Sequence, residues 1–118
     1  MNNDQNTKLI ELKDFIDQFR QVRDWQKFHN PKDLAEAISV EASELMELFL
    51  WGDKQEFTDK VNNDPEFKTK VSDELADVLI YCIEFSLTTG IDLSTAIMEK
   101  MTKNAIKYPV EKGKREVG

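Results

Sequence analysis

The sequence predicts an all-α fold, a bundle of four main helices. Three observations carry that expectation. Apolar residues recur at three- and four-residue steps over long stretches. Two cap-and-proline pairs, Asn30-Pro31 and Asp64-Pro65, mark helix starts. No segment alternates apolar and polar residues as a half-buried strand would. The 118 residues are enough for one domain with one core, expected over about residues 6–108, with a mobile tail at 109–118.

The first helix is expected from about residue 6 to 24, on Leu9, Leu12, Ile16, Phe19 and Val22, with Ile10 and Phe15. In the segment FHNPKD, Asn30 suits an N-cap, Pro31 the first helical position, and Asp33 a weaker form of the capping box. The second helix then runs from Pro31 to about Trp51, and Gly52 can take the left-handed conformation that ends it. Residues 52–64 are polar apart from Phe57 and Val61, and read as a connection with one or two helical turns. The third helix runs from Pro65 to about Thr89 and stops at Gly90. Its second half, ELADVLIYCIEFSL, is apolar on most sides, as in a helix covered by neighbours all round. Asp92 caps a fourth helix through about Lys107, and Pro109 ends it.

The net charge is -7. That opposes binding to nucleic acid polymers, which calls for a basic stripe. Small anionic substrates stay open, because a bound divalent cation inverts the local field. No apolar run approaches the roughly 20 residues that span a bilayer, and the polar N-terminus is not a signal peptide. One cysteine, Cys82, rules out an internal disulfide framework and fits a reducing cytoplasm.

Two pairs of acids share one spacing: Glu41 with Glu44, and Glu74 with Asp77. Residues three apart are neighbours on a helix surface, so each pair can aim two carboxylates at one point. Glu41 falls in the middle of the stripe set by Ile38, Leu45 and Leu48, and Glu44 at its edge. Glu74 lies beside the apolar face of Val71, Val78, Cys82 and Phe85, about 40° from Val78 on the helical wheel, with Asp77 further round. Ordinary solvated acids are the bland alternative. An unpaired charge in mid-stripe costs several kcal/mol, on the order of the penalty for a buried ion. Residues 33–53 contain no Lys or Arg to neutralise it. Carboxylates gathered between packed helices are a known way to build a metal site. His29, the one histidine, makes no ExxH motif with these acids, so a di-iron site fits poorly, and zinc prefers His or Cys. Oxygen-only ligation points to Mg²⁺ or Mn²⁺.

Trp25 and Trp51 bracket the second helix, with Phe28, His29 and Tyr81 as further aromatic candidates. They plug the ends of the bundle or form a stacking pocket for a flat ring. Lys100, Lys103, Asn104 and Lys107 share one face of the fourth helix. That face is a solvated stripe or a contact for phosphate oxygens, with Asn104 on a sugar or base. Cys82 reads as a small core residue. Four scattered glycines supply no phosphate-cradling loop.

The array Glu41-x-x-Glu44 followed by Glu74-x-x-Asp77 resembles the MazG-like nucleoside triphosphate pyrophosphohydrolases, and more closely their dCTP pyrophosphatase branch. RDWQKFHNP (23–31), ELMELFLW (44–51), DELADVLIY (73–81) and KNAIKYP (103–109) are similar to that branch's segments in the same order. Many MazG proteins have a glutamate pair where this chain has Val40-Glu41, and the branch lacks the first acid in the same way. The resemblance implies that Glu41, Glu44, Glu74 and Asp77 bind Mg²⁺. It implies that Trp25, Trp51 and Tyr81 surround the base, with His29 near that pocket. Asn104, Lys107 and Tyr108 would meet the substrate across a subunit interface in a homodimer or homotetramer that completes the bundle.

The expected reaction is hydrolysis of a nucleoside triphosphate, dCTP or a modified dCTP, to the monophosphate and pyrophosphate. Positioning and charge neutralisation are the protein's tasks. Glu44 or Glu47 would orient the attacking water. Glu47 lies about 120° from the stripe centre, where a solvated role is natural. The alternatives are a non-catalytic helical module that binds a nucleotide or a partner helix, and a related hydrolase acting on another nucleotide pyrophosphate. Base choice depends on hydrogen bonds to the base edge, which spacing does not reveal.

Overall fold

The computed structural model describes residues 1–110. The chain is all-α, with five helices among those residues: α1 (Leu9–Val22), α2 (Pro31–Glu47), α3 (Lys54–Asn63), α4 (Pro65–Thr89) and α5 (Leu93–Lys107). A single 3₁₀ turn, Gln26–Phe28, lies between α1 and α2. The expected tail lies outside the described residues from position 111 onward.

Short polar side chains start four of the helices. Asn30 Oδ1 accepts from the Asp33 N–H at 2.9 Å, and Asp53 Oδ1 from the Glu56 N–H at 2.8 Å. Asp64 Oδ1 accepts from both Glu66 and Phe67 N–H groups at 3.1 Å. Asp92 Oδ1 accepts from Thr95 at 2.9 Å. Each satisfies a donor that the helix itself leaves unpaired. Helix α1 lacks such a cap; instead the Glu11 carboxylate reaches back to the Lys8 N–H at 2.7 Å.

Helix α4 is the spine. α2 packs along it most extensively, and α1 and α3 also pack against it. Gly90 stops α4 in the left-handed conformation (φ 72°), as expected of a glycine there. α5 then leaves at 103° to α4 and makes no extensive packing contact with any other element. Within one chain the bundle is therefore α1 to α4, and α5 projects from it. No single helix among the described residues is long and apolar enough to cross a membrane; α4 and α5 pass by length and composition only when joined across their bend.

Among the described residues the buried apolar side chains are Leu34, Phe67 and Ile83. The expectation that α4 is covered all round does not hold within one chain: Leu75 and Leu79 remain 48% and 54% exposed. α5 likewise exposes Ile97, Met98, Met101 and Ile106. Apolar surface on this scale marks interaction faces.

Three local expectations need correction. α2 ends at Glu47, not near Trp51, because the chain turns at Leu48 and carries Phe49 inward. There Phe49 meets the rings of Phe57 and Phe67 at centroid distances of 5.2 and 5.7 Å. The segment 52–64 holds a ten-residue helix, not one or two turns. Asp53 caps it, and Phe57 and Val61, four apart, form its half-buried stripe. Gly52 is not left-handed; Gly90 is the only glycine with positive φ among the described residues. Gly52 is needed for space. A Cβ there would stand 2.7 Å from Glu56 Oε2 and 3.0 Å from the Phe57 ring. The carboxylate can swing away, but Phe57 is held by Phe49 and Phe67. Gly52→Ala is expected to cost about 1–3 kcal/mol of stability, read as a lower denaturant midpoint. An unchanged midpoint would show that the α2–α3 corner yields freely.

Candidate active site

The packing of α2 on α4 brings the two acidic pairs face to face. One carboxylate oxygen from each of Glu41, Glu44 and Glu74 lies within 4.8 Å of the others. Glu41 and Glu74 are half-buried, and the Oε2 atom of each is buried with no hydrogen-bond partner. Desolvation pushes the Glu41 carboxyl above its ordinary value, and Glu44, Asp77 and Glu74 add repulsion. Glu74 is raised by desolvation and then by Glu44, Asp77 and Asp73. No basic side chain is among the groups acting on either. Asp77 stands outside the close triad but within reach of its charge.

Two orphaned buried oxygens in a cluster of like charges fit a bound hard cation. Every donor in the triad is oxygen, which suits a divalent ion of the Mg²⁺ type. Free Cys82 and His29 are not part of it.

The pKa directions fix a pH response. Glu41, Glu74 and the buried Glu84 all titrate above the ordinary glutamate value of 4.5. The folded chain therefore binds protons more tightly than the unfolded one. Stability from these carboxyls is complete below 4.5 and lost as pH rises through the folded values. Asp17 and Asp92 are shifted the other way, below 3.8, so their contribution changes only in more acid solution. The melting temperature in a chelator is expected to fall as pH rises from 4.5 through the raised carboxyl values, and Mg²⁺ to reverse the fall. A melting temperature that climbs across that window contradicts a cluster of raised carboxyls.

Beside the triad is an apolar pocket of about 300 Å³. Its walls are Phe15, Ile16 and Phe19 of α1, Trp25, and Asp77, Ile80, Tyr81 and Glu84 of α4. Asp77 thus belongs both to the pocket and to the acidic surroundings. The turn after α1 places Trp25. Asp24 adopts a left-handed conformation (φ 58°), and the Trp25 N–H bonds back to the Arg20 carbonyl at 2.8 Å, a Schellman ending. That folds the indole onto Phe19, edge to face at 5.7 Å. The Arg23 guanidinium covers the Phe19 ring at 3.5 Å. Desolvation raises the Tyr81 phenol, with Glu84, Glu41, Asp77 and Glu44 adding to the shift.

Behind the pocket is a polar network. Arg20, buried in α1, donates from Nε to Asp17 at 2.8 Å and from Nη1 to Thr88 at 3.1 Å. Nη1 also meets His29 Nδ1 at 3.2 Å. Arginine can only donate, so Nδ1 accepts and a neutral ring carries its proton on Nε2. That nitrogen faces Glu84 Oε2 at 3.9 Å. A larger, open hollow of about 550 Å³ between the α2 exit and α3 shares no residue with the acidic triad.

Of the residues singled out in the sequence, Glu41, Glu44, Glu74 and Asp77 come together, and Trp25 and Tyr81 line the adjacent pocket. His29 stands in the network behind it. Trp51 does not line the pocket; it is 91% exposed in the turn after α2. Asn104, Lys107 and Tyr108 also line no part of it, and Lys100, Lys103 and Lys107 are not among the charges acting on Glu41 or Glu74. Sequence reasoning missed Phe15 and Phe19 as pocket walls, and Arg20 and Glu84 altogether. Glu84 had a visible signal: it interrupts the apolar run YCIEFSL, as Glu41 interrupts its own stripe.

Residues 37–117 match the model of the MazG-like family. The chain is 37% identical over 102 residues to dCTP pyrophosphatase 1 of Rattus norvegicus. It is 36% identical over 101 residues to the protein of the same name from Homo sapiens. Each alignment covers 86% of this chain, which spans 59% of the length of those relatives. The crystal structure of a pyrophosphatase from Archaeoglobus fulgidus DSM 4304 superposes with a TM-score of 0.80 at 36% identity, covering 92% of this chain and 99% of that one.

Proposed function

The chain belongs to the MazG-like family, and on that premise we propose that it hydrolyses a nucleoside triphosphate to the monophosphate and pyrophosphate, with dCTP or a modified dCTP as substrate. The observation that carries this reading is the triad Glu41, Glu44 and Glu74, with two buried oxygens lacking partners, beside an aromatic pocket. An anion-rich cluster next to an apolar, aromatic-lined cavity suits a ligand with a polyphosphate at one end and a ring at the other. The names of the relatives, dCTP pyrophosphatase 1, favour cytosine.

Glu41, Glu44, Glu74 and Asp77 would hold Mg²⁺ or Mn²⁺. When bound, the ion supplies positive charge for the triphosphate and acidity for a water. Trp25 and Tyr81 take the base between aromatic walls. Asp77, shared by both regions, sets the base end at a fixed distance from the phosphates. Glu44 accepts the proton of the attacking water or orients it, in preference to Glu47, because Glu44 lies within the triad and Glu47 does not. Water adds to a phosphorus of the α–β linkage, the bridging P–O bond breaks, and pyrophosphate leaves. The chain residues position reactants and balance charge without forming a covalent intermediate.

The site is completed by other copies of the chain, in a homodimer or homotetramer. The exposed apolar faces of α4 and the projecting α5 support this. In that assembly Asn104, Lys107, Tyr108 and Trp51 reach the substrate of a neighbouring subunit. Residues 6–108 act as one domain, and the one free cysteine suits a reducing cytoplasm.

The test is pyrophosphate release from a panel of canonical and modified nucleoside triphosphates, with Mg²⁺ and with chelator. Release from dCTP that stops in chelator is the expected result. Thermal stabilisation by nucleotide without any release would instead identify a binding module.

A further inference from the structure

We propose that Glu84 selects the nucleobase by accepting a hydrogen bond from an exocyclic amine, so that the aromatic pocket takes cytosine over uracil and thymine. The inference rests on the reading of this pocket as a base site and adds the residue that discriminates within it. Glu84 lines the pocket, its side chain is 8% exposed, and it makes no hydrogen bond with any described residue. Such burial costs a carboxyl free energy that a hydrogen-bond donor in the pocket would offset. The other pocket walls are aromatic or aliphatic apart from Asp77 and the Tyr81 hydroxyl. Aromatic walls hold any ring, so edge recognition falls to the polar atoms among them.

Glu84 is an acceptor once ionised, above a pKa that desolvation raises and that His29 and Arg20, on its far side, pull back in part. The His29 N–H at 3.9 Å and the Arg20 anchor to Asp17 and Thr88 hold that side in place. A carboxylate offers lone pairs only. Cytosine presents an amine at C4, which donates to it. Uracil and thymine present a carbonyl oxygen at the same position, and two acceptors would face each other in a desolvated site. A pocket built to bond a donor rejects analogues that lack it more strongly than an apolar pocket can.

Calorimetric binding of monophosphates to the full chain tests this without turnover. dCMP, dUMP and the 2-pyrimidinone deoxynucleotide, which lacks the C4 amine, are compared on the parent and on Glu84→Gln. The parent is expected to bind dCMP at least about tenfold more tightly than either analogue, the effect of one hydrogen bond to a charged group. Glu84→Gln, whose amide can donate to a carbonyl, should bring dCMP and dUMP within about threefold of each other. Equal binding of dCMP and the 2-pyrimidinone nucleotide by the parent overturns the proposal, and needs no variant to fold. So does a Glu84→Gln protein that keeps the parental ratio. A parent that prefers dCMP yet releases no pyrophosphate from dCTP would overturn the hydrolase reading and leave Glu84 in place. Hydrolysis of dCTP with no preference for the amine would do the reverse.

Discussion

Replacing Glu41 by glutamine is expected to abolish metal-dependent pyrophosphate release while leaving the metal-free fold as stable as before, or more so. The two effects share one cause. Glu41 contributes a buried oxygen without a partner to a cluster of acids, and desolvation with its acidic neighbours disfavours its charge. The amide keeps the shape and removes the repulsion. It also removes a charged ligand from a site built only of oxygens. Activity should fall by roughly two to three orders of magnitude, as when one preorganised charge-stabilising group is lost elsewhere. In chelator the variant should melt at or above the parental temperature. With Mg²⁺ it should lose the stabilisation that the parent gains, since a ligand stabilises only the state that binds it. Parental turnover by Glu41→Gln would remove the metal assignment. A large loss of stability in chelator would show that the carboxylate has a structural partner.

Much of the scaffold for this site is legible in the sequence. Asn30-Pro31, Asp64-Pro65, Gly90 and Asp92 mark helix ends where the chain places them, because capping is local chemistry that depends on a few neighbouring residues. The Glu41–Glu44 and Glu74–Asp77 spacings were readable for the same reason. What escaped depends on distant partners. The third helix in chain order, Lys54–Asn63, shows only Phe57 and Val61 as apolar markers. Its stability comes from Phe49 and Phe67, which lie outside it. The apolar run to Trp51 reads as a continuation of α2, yet the inward turn of Phe49 ends that helix at Glu47 first.

The base pocket illustrates the limit more sharply. Phe15 and Phe19 fit the apolar stripe of α1, and periodicity alone assigns such residues to a core. Here they line a cavity between α1 and α4, and the Schellman turn at Asp24 brings Trp25 to its wall. Arg20 and Glu84 are 64 positions apart, and their link through His29 exists only once α1 packs on α4. Periodicity reports which face of a helix is apolar. It does not report whether that face meets a neighbour, a ligand or another subunit.

Stability should depend most on Phe67. It lies in the first turn of α4, where Asp64 holds its N–H, and it is 7% exposed. Its ring is stacked with Phe57 at 6.4 Å and meets Phe49 edge to face, while the Lys60 ammonium covers it at 4.3 Å. One residue thus joins the α2 exit, α3 and the start of α4. Phe67→Ala removes the ring and leaves a cavity that rigid aromatic neighbours cannot close, at a cost of about 3–5 kcal/mol. With so few buried apolar side chains among the described residues, that is a large share of the roughly 5–15 kcal/mol a domain has in total. The melting temperature should drop by roughly 10–25 °C. Below that temperature the variant should keep its metal response, because this corner shares no residue with the acidic triad. Subunit association would soften the loss as protein concentration rises, since binding between folded chains adds to the stability of each. A variant that melts within about 2 °C of the parent would mean that the Phe49–Phe57–Phe67 cluster is not a core, and that the chain is held together instead through the exposed faces of α4 and α5.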